Sequence, residues 1–328
     1  MKQTSKILST LLLAAIFCLA QSCGKFSDQR KGNTSTSGLT TIMCDNSFEN
    51  IIQQEIDVFE YVYPEASIIP YYVSEAAAID SLISLKTRLA VISRELTKEE
   101  TEYLKGKKRN PKVQRIAVDA IALIVNPENP VEILSKSEIS EILSGEVTDW
   151  NQIEPSKIGK INVVFDDAGS STLKYMKDSL LQGKELGENV YAQGSNRAVF
   201  EAVKKSKNTV GVIGVSWITT DMKGVSTTIE DKAQTSASSD TTTLEFNREV
   251  KVLKVRRDDS IEAYKPYQAY IYSGQYPLFR SIYMVCASVS GTTSHGFYSF
   301  VTGFQGQKLI QMTGVLPATI QPRMVALY

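Results

Sequence analysis

From Leu39 onward the chain alternates short β-branched runs with helical ones, and this alternation restricts the fold more than any other feature. Leu39 to Cys44 (LTTIMC) reads as a strand, and Asp45-Asn46-Ser47 follow it with capping side chains. Phe48 to Val62 places apolar residues at 48, 51, 52, 56, 59 and 62, which is helical spacing, and Pro64 ends the run. Ser67 to Tyr72 reads as a second strand, edge or bent at Pro70. Glu75 to Leu85 reads as a short helix, Leu89 to Ile92 as a third strand, and Thr97 to Glu100 as a capping box opening the next helix. The pattern continues with a strand at Gln114 to Asn126, a helix at Val131 to Leu143, a strand at Ile161 to Phe165 and a helix from about Leu173. It closes with a helix at Asn196 to Lys204, strands at Val210 to Trp217, Val250 to Val255 and Ile282 to Val289, and one long helix from Phe297 to Met312, capped by Gly314. Val225 to Thr243 is rich in Ser, Thr and Asp and reads as a surface excursion. Such alternation implies an α/β fold with largely parallel sheets, whose ligands bind where strands end and helices begin.

The segment before Leu39 has a different character. Lys2 and Lys6 precede an apolar run from Ile7 to Ala20, too short to span a bilayer but suited to a secretory signal. Residues 1–22 are expected to be such a signal. Leu19-Ala20-Gln21-Ser22-Cys23 resembles a bacterial lipobox with Cys23 as the lipidated residue; the alternative is a plain signal peptide with an incidental cysteine. Residues 23–38 are polar and read as a flexible tether. The remaining cysteines, Cys44 and Cys286, lie in apolar runs and are expected as buried free thiols rather than a disulfide. The 36 Lys+Arg balance 36 Asp+Glu, which argues against nucleic acid as a partner. A single histidine excludes zinc sites built from several His and weakens any His-based triad. No Walker-A loop, G-x-S-x-G elbow or H-E-x-x-H motif is present and no nucleophile–base pair can be named, so no metal, cofactor or enzyme activity is expected.

Three strand-to-helix corners carry the chemistry of an anion site, since helix starts offer free N–H groups and short hydroxyls add donors. They are Asp45-Asn46-Ser47-Phe48, Ser93-Arg94 and Gly169-Ser170-Ser171-Thr172. Each alone matches an ordinary helix cap; three in one chain, one with an Arg, favour a ligand. His295 reads as a loop or cap residue. Tyr264, Tyr267, Tyr270, Tyr272 and Tyr276 read as packing at a wet edge.

Several segments, in order, resemble the phosphate-binding substrate receptors of bacterial phosphate ABC importers. They are the corner at 45–48, Ser93-Arg94 with Leu96-Thr97, Val118 to Asn126, Glu141 to Gly145 with Trp150, and Ser170-Ser171-Thr172. Val210 to Gly214, Tyr276 to Arg280 with Tyr283, and Gly306 to Ile310 with Gly314 complete the set. The resemblance covers almost all of 39–328 and implies a two-lobed, type II periplasmic-binding-protein-like α/β fold, each lobe a mixed, largely parallel sheet flanked by helices. It places lobe one at about 39–125 plus 284–328 and lobe two at 126–283. It implies an extracytoplasmic, monomeric lipoprotein that captures inorganic phosphate or a similar oxyanion and hands it to ABC importer membrane subunits.

The family holds phosphate on a Ser-Gly-Thr helix start, matched here by Ser170, Ser171 and Thr172, with Ser replacing Gly. Ser47 and Phe48 match the first corner, Ser93 and Arg94 the second, and Ser74 a hydroxyl at the second helix. Where the family carries an Arg four residues before the first serine, this chain has Asp166. A carboxylate there accepts the proton of monohydrogen phosphate and repels sulfate, leaving the charge to be met by Arg94 first and Arg197 second. Two other readings remain: a scaffold or sensor lipoprotein of the same fold that has lost phosphate binding, and an oxyanion-ester hydrolase.

Overall fold

The computed structural model describes residues 32–221, 228–237 and 244–319. The signal segment, Cys23 and residues 24–31 of the tether lie outside the described residues. The elements run β1 (Ser37–Asp45), α1 (Glu49–Val62), β2 (Glu65–Val73), α2 (Glu75–Ile83), β3 (Leu89–Ile92), α3 (Lys98–Gly106) and β4 (Lys112–Val125). Next come β5 (Ile133–Ser135), α4 (Lys136–Ser144), β6 (Asn162–Phe165), α5 (Ser171–Met176), β7 (Val190–Ala192), α6 (Asn196–Lys205) and β8 (Thr209–Gly214). Then follow β9 (Thr219–Asp221), α7 (Ile229–Ala237), β10 (Leu244–Phe246), β11 (Lys251–Val252), β12 (Lys254–Arg256) and β13 (Ala263–Tyr264). The last are α8 (Gln268–Tyr272), β14 (Phe279–Cys286), α9 (Thr293–Thr302), α10 (Phe304–Met312) and β15 (Leu316–Pro317).

The main sheet runs β2-β1-β3-β14-β4-β8-β6-β7. Parallel pairs β1/β2, β1/β3, β6/β7 and β6/β8 flank an antiparallel centre, where β14 lies against both β3 and β4. Strand β4 is long enough to serve two neighbourhoods. Its residues 112–120 pair with β14 and its residues 121–125 pair with β8. β2 sits at the sheet's end with Pro70 in it, the edge position that a missing N–H permits.

Burial follows from patterning. β3 and β8 are buried at every position, as strands covered on both faces are. Helix α1 turns Ile51, Ile52, Ile56 and Phe59 inward. Phe59 meets the α9 rings of Phe297 and Phe300 edge-on at 5.2 and 5.3 Å, a geometry that adds about 0.5–1.5 kcal/mol to each pair beyond area burial. Trp150 is fully buried, with Nε1 donating to the Asn208 carbonyl at 2.9 Å. Cys44 and Cys286 are both buried and free. The capping box at Thr97 and Glu100 is formed.

Several segments differ from the sequence reading. The end of the expected tether is packed: Ser37 and Gly38 pair within β1 with Glu65 and Ala66, and Asn33 Oδ1 accepts from Thr293. The strand read at Val250 to Val255 splits at Leu253 into β11, paired with β4, and β12, paired with β5. Val131 to Leu143 is not all helix: Ile133–Ser135 pairs in parallel with β12, and Ser135 then caps α4 through a Ser135–Glu138 capping box. The strand foreseen at Val210 to Trp217 stops at Gly214, and a short 3₁₀ turn follows. Within Val225 to Thr243, residues 229–237 form α7, which buries Ala233 and Ser236 rather than standing off the surface. The last long helix breaks at Gly303 into α9 and α10. Gly306 explains the break's tightness, because a Cβ there would lie 2.5 Å from both the Phe300 carbonyl oxygen and Val301 Cα.

Candidate functional site

Strand β1 ends at Asp45, whose Oδ1 accepts the Ser47 N–H at 2.9 Å and bends Asn46–Phe48 into a 3₁₀ turn ahead of α1. The Trp217 indole N–H donates to the Ser47 carbonyl at 3.2 Å and pins this corner from the other half of the sheet. Strand β6 ends at Phe165, and Asp166 follows immediately. Gly169 N–H donates to Asp167 Oδ1 at 2.8 Å, and Ser170 caps α5 by accepting the Leu173 N–H at 3.1 Å. That leaves Ser171 and Thr172 in the first turn, both buried.

These two corners meet, although about 120 residues separate them in sequence. The Ser47 hydroxyl donates to Asp166 Oδ2 at 3.2 Å and accepts from Thr172 at 3.2 Å and Ser171 at 3.4 Å. All three hydroxyl contacts are longer than the 2.7–2.8 Å optimum for O–H···O, so the hydroxyls are weakly committed to one another and free to turn toward a better acceptor. Asn196, at the start of α6, donates Nδ2 to the same Asp166 Oδ2 at 3.4 Å.

The cation that reaches this cluster is Arg280, the second residue of β14. Its Nη1 donates to the Ser171 hydroxyl at 2.5 Å, its Nη2 to Asp119 Oδ2 at 3.3 Å, and its guanidinium carbon lies 4.6 Å from the centre of the Phe48 ring. The Arg280 and Asp119 side chains are 3% and 1% exposed, so the charge acts in a dry environment, where it is screened little. Burial pushes the Asp119 carboxyl up to about 6, with Arg280 pulling the other way. Asp45 is also raised by burial, against the pull of Arg280 and a Ser171 hydrogen bond.

Beside Asp166 opens a cleft of about 410 Å³, lined by Asn46, Glu49, Tyr72, Asp166, Asn196, Arg197 and Trp217 among others. Arg197 therefore reaches the cleft, but it is exposed. Ser74 caps α2 and lies across from Gly169, facing the third corner. Ser93 is committed elsewhere: both its N–H and its hydroxyl donate to the Glu75 carboxylate, the former at 2.7 Å. Arg94 is occupied too. It forms a two-pronged pair with Glu100 at 2.8 and 2.9 Å and donates to the Glu95 carbonyl, so it does not join the hydroxyl cluster. Glu100 is the capping-box residue of α3, which is why the chain's apparent free cation in that corner is spent on a helix start.

Of the residues singled out in the sequence, the structure gathers Ser47, Phe48, Asp166, Ser171 and Thr172. Ser170 remains a cap and Arg94 is taken up by its neighbour. Asp45 stood in the first corner only as a cap, and Arg280, Asp119 and Asn196 were not named as site residues. Arg280 and Asp119 had a signal: each is a charge inside an apolar strand run, and their positions fall directly opposite in the β4/β14 ladder. His295 sits in the first turn of α9 against Lys112, 2.8 Å from its Nζ. Tyr264 and Tyr270 pack at 4.6 Å, as foreseen, whereas Tyr276 is fully buried rather than at a wet edge and donates to the Ile121 carbonyl at 2.7 Å.

Residues 30–303 match the PBP superfamily domain. The chain belongs to that superfamily. Among curated relatives, the phosphate-binding protein PstS of Bacillus subtilis (strain 168) is 24% identical over 66% of this chain and 73% of its own length. PstS of Borreliella burgdorferi is 27% identical over 43% of this chain and 51% of its own. Among solved structures, a Clostridium perfringens protein assigned as a phosphate ABC transporter substrate-binding protein, with bound phosphate, superposes with a TM-score of 0.67 at 21% identity, covering 86% of this chain and all of that one. An ABC-type phosphate transport receptor from Vibrio cholerae gives 0.58 at 20% identity, covering 85% of this chain and 99% of that one. At these identities the structural likeness speaks for the fold, and the fold is the two-lobed, PBP-like α/β class foreseen from the sequence.

Proposed function

We propose that this PBP-superfamily chain captures inorganic phosphate between its lobes and delivers it to the membrane subunits of an ABC importer. The observation that carries the reading is the convergence of Ser47, Ser171 and Thr172 on one point with Arg280 donating to it from a buried position. Hydroxyl donors and a dry guanidinium suit a tetrahedral oxyanion, and Arg is the residue whose planar fork matches one. Asp166 takes the proton of monohydrogen phosphate, which sulfate lacks at neutral pH. The curated relatives' names, phosphate-binding protein, agree with this. In the same reading residues 39–125 with 284–328 form one lobe and 126–283 the other, Cys23 carries a lipid, and the protein works outside the cytoplasmic membrane as a monomeric receptor rather than an enzyme.

The test is isothermal titration of phosphate into the full chain, after unfolding and refolding to strip bound ligand, with sulfate as competitor. Saturable phosphate binding that sulfate does not displace is the expected result. A folded sample that takes no phosphate overturns the reading and leaves Asp166 as the mark of a scaffold or sensor that has lost the ligand.

A further inference from the structure

The cleft beside Asp166 carries more hydrogen-bond acceptors than inorganic phosphate has hydrogens to give. Asp166 and Asn196 are 1% and 4% exposed and both line it. Asp166 Oδ2 is satisfied by Ser47 and by Asn196 Nδ2. That second contact fixes the Asn196 amide with its nitrogen toward the carboxylate and its oxygen turned away. Asp166 Oδ1 and Asn196 Oδ1 are then left without partners, and Asn46 Oδ1, in the same lining, is a third such acceptor. A buried acceptor with no donor is unusual in a folded protein, and two on adjacent side chains in one cleft point to a donor that arrives with a ligand.

Monohydrogen phosphate brings a single hydrogen, whereas a primary ammonium brings three in a tetrahedral spread. The surroundings favour positive charge. Two carboxylates, Asp166 and Glu49, line the cleft against one guanidinium, Arg197, and Tyr72 and Trp217 line it too. The volume of about 410 Å³ lies in the range that holds small organic ligands, ~300–1,000 Å³.

We infer that this cleft is a donor subsite, taking the ammonium group of a small organophosphorus anion while its oxyanion sits on Ser47, Ser171, Thr172 and Arg280. The inference rests on the oxyanion reading above and adds to inorganic phosphate a second ligand class, phosphate monoesters or phosphonates that carry an amine a few bonds from phosphorus. Glu49 is then a specificity residue, since it lines this cleft and takes no part in the Ser47, Ser171, Thr172 and Arg280 contacts.

The experiment titrates the full chain with inorganic phosphate, ethylphosphonate, 2-aminoethylphosphonate and O-phosphoethanolamine. An amine-bearing probe is expected to bind at least about tenfold tighter than ethylphosphonate, the scale of one hydrogen bond to a charged group. The two amine probes separate phosphonate from ester. In Glu49→Gln, checked for an unchanged melting temperature, that preference shrinks while inorganic phosphate affinity holds. Equal binding of the ethyl and aminoethyl probes overturns the donor subsite and leaves the phosphate reading standing. Failure of every phosphorus probe to bind a folded sample overturns both.

Discussion

Arg280 is asked to do two things at once, and replacing it by Met separates them. On the binding side, the guanidinium contact to the anion site is a hydrogen bond to a charged group, worth about 1.5–3 kcal/mol, so Arg280→Met is expected to weaken phosphate about 10- to 150-fold. On the folding side, the change strips a buried carboxylate of its partner, which costs about 3–5 kcal/mol. Asp119 modulates that loss with pH. Its carboxyl already stands near 6 in the folded chain, above the ordinary value of about 3.9, so its favourable contribution is complete below about pH 4 and fades as pH rises through 6. Without Arg280 the carboxyl moves higher still, and the deficit of the variant is largest at neutral and alkaline pH and smallest near pH 5. Urea unfolding between pH 5 and 8, beside calorimetric titration of phosphate, reads both effects. The double variant Asp119→Leu/Arg280→Met removes both charges and regains most of the stability, yet stays poor at binding. A folded Arg280→Met that keeps phosphate affinity within about threefold of the parent, less than half a decade in Kd, refutes the assignment of Arg280 to the anion.

Two further outcomes follow from buried groups elsewhere. Glu55, fully buried in α1 with neither oxygen partnered, is raised well above the carboxylate range by burial, so its neutral form suits the fold and stability falls as pH climbs through its folded value. Glu55→Leu is expected to stabilise by about 1–3 kcal/mol and to flatten the alkaline fall in urea midpoint; an unchanged pH profile counts against it. Gly306→Ala drives a methyl into the backbone at Phe300 and Val301, and is expected to cost about 1–3 kcal/mol, read as a melting temperature lower by several degrees. A melting curve that coincides with the parent's shows that the α9–α10 corner yields.

The corners were readable because their residues do local work. Asp45, Ser170 and Thr97 cap helices, and caps announce themselves within four residues. What brought Ser47 against Thr172 was the order of strands across the sheet, which no local window contains. Arg94 misled for the opposite reason. It stood in the right corner, but the capping box three residues on supplied Glu100, and a fixed two-pronged carboxylate outcompetes a distant anion for the same guanidinium. Arg280 was hidden because the strand was read from Ile282, two residues too late to include it; its inward register beside Ile282 and Met284 was the available signal, and it becomes meaningful only with Asp119 opposite. The helix break at Gly303 escaped because the apolar spacing continues across it, while the constraint comes from backbone contact at Gly306.

The place of β14 has a consequence in time as well as in space. It lies between β3 and β4, whose residues precede it by more than 150 positions, and it supplies the ladder on both sides. A chain that emerges from its N-terminus therefore has an unfilled slot at the centre of its sheet until residue 286 has arrived. Such late, long-range closure makes for slow folding, with strand edges waiting open meanwhile. Any polypeptide cut short of Phe279 lacks Arg280 along with the strand that closes the gap, so an incomplete chain presents neither a finished sheet nor the full set of groups around Ser47.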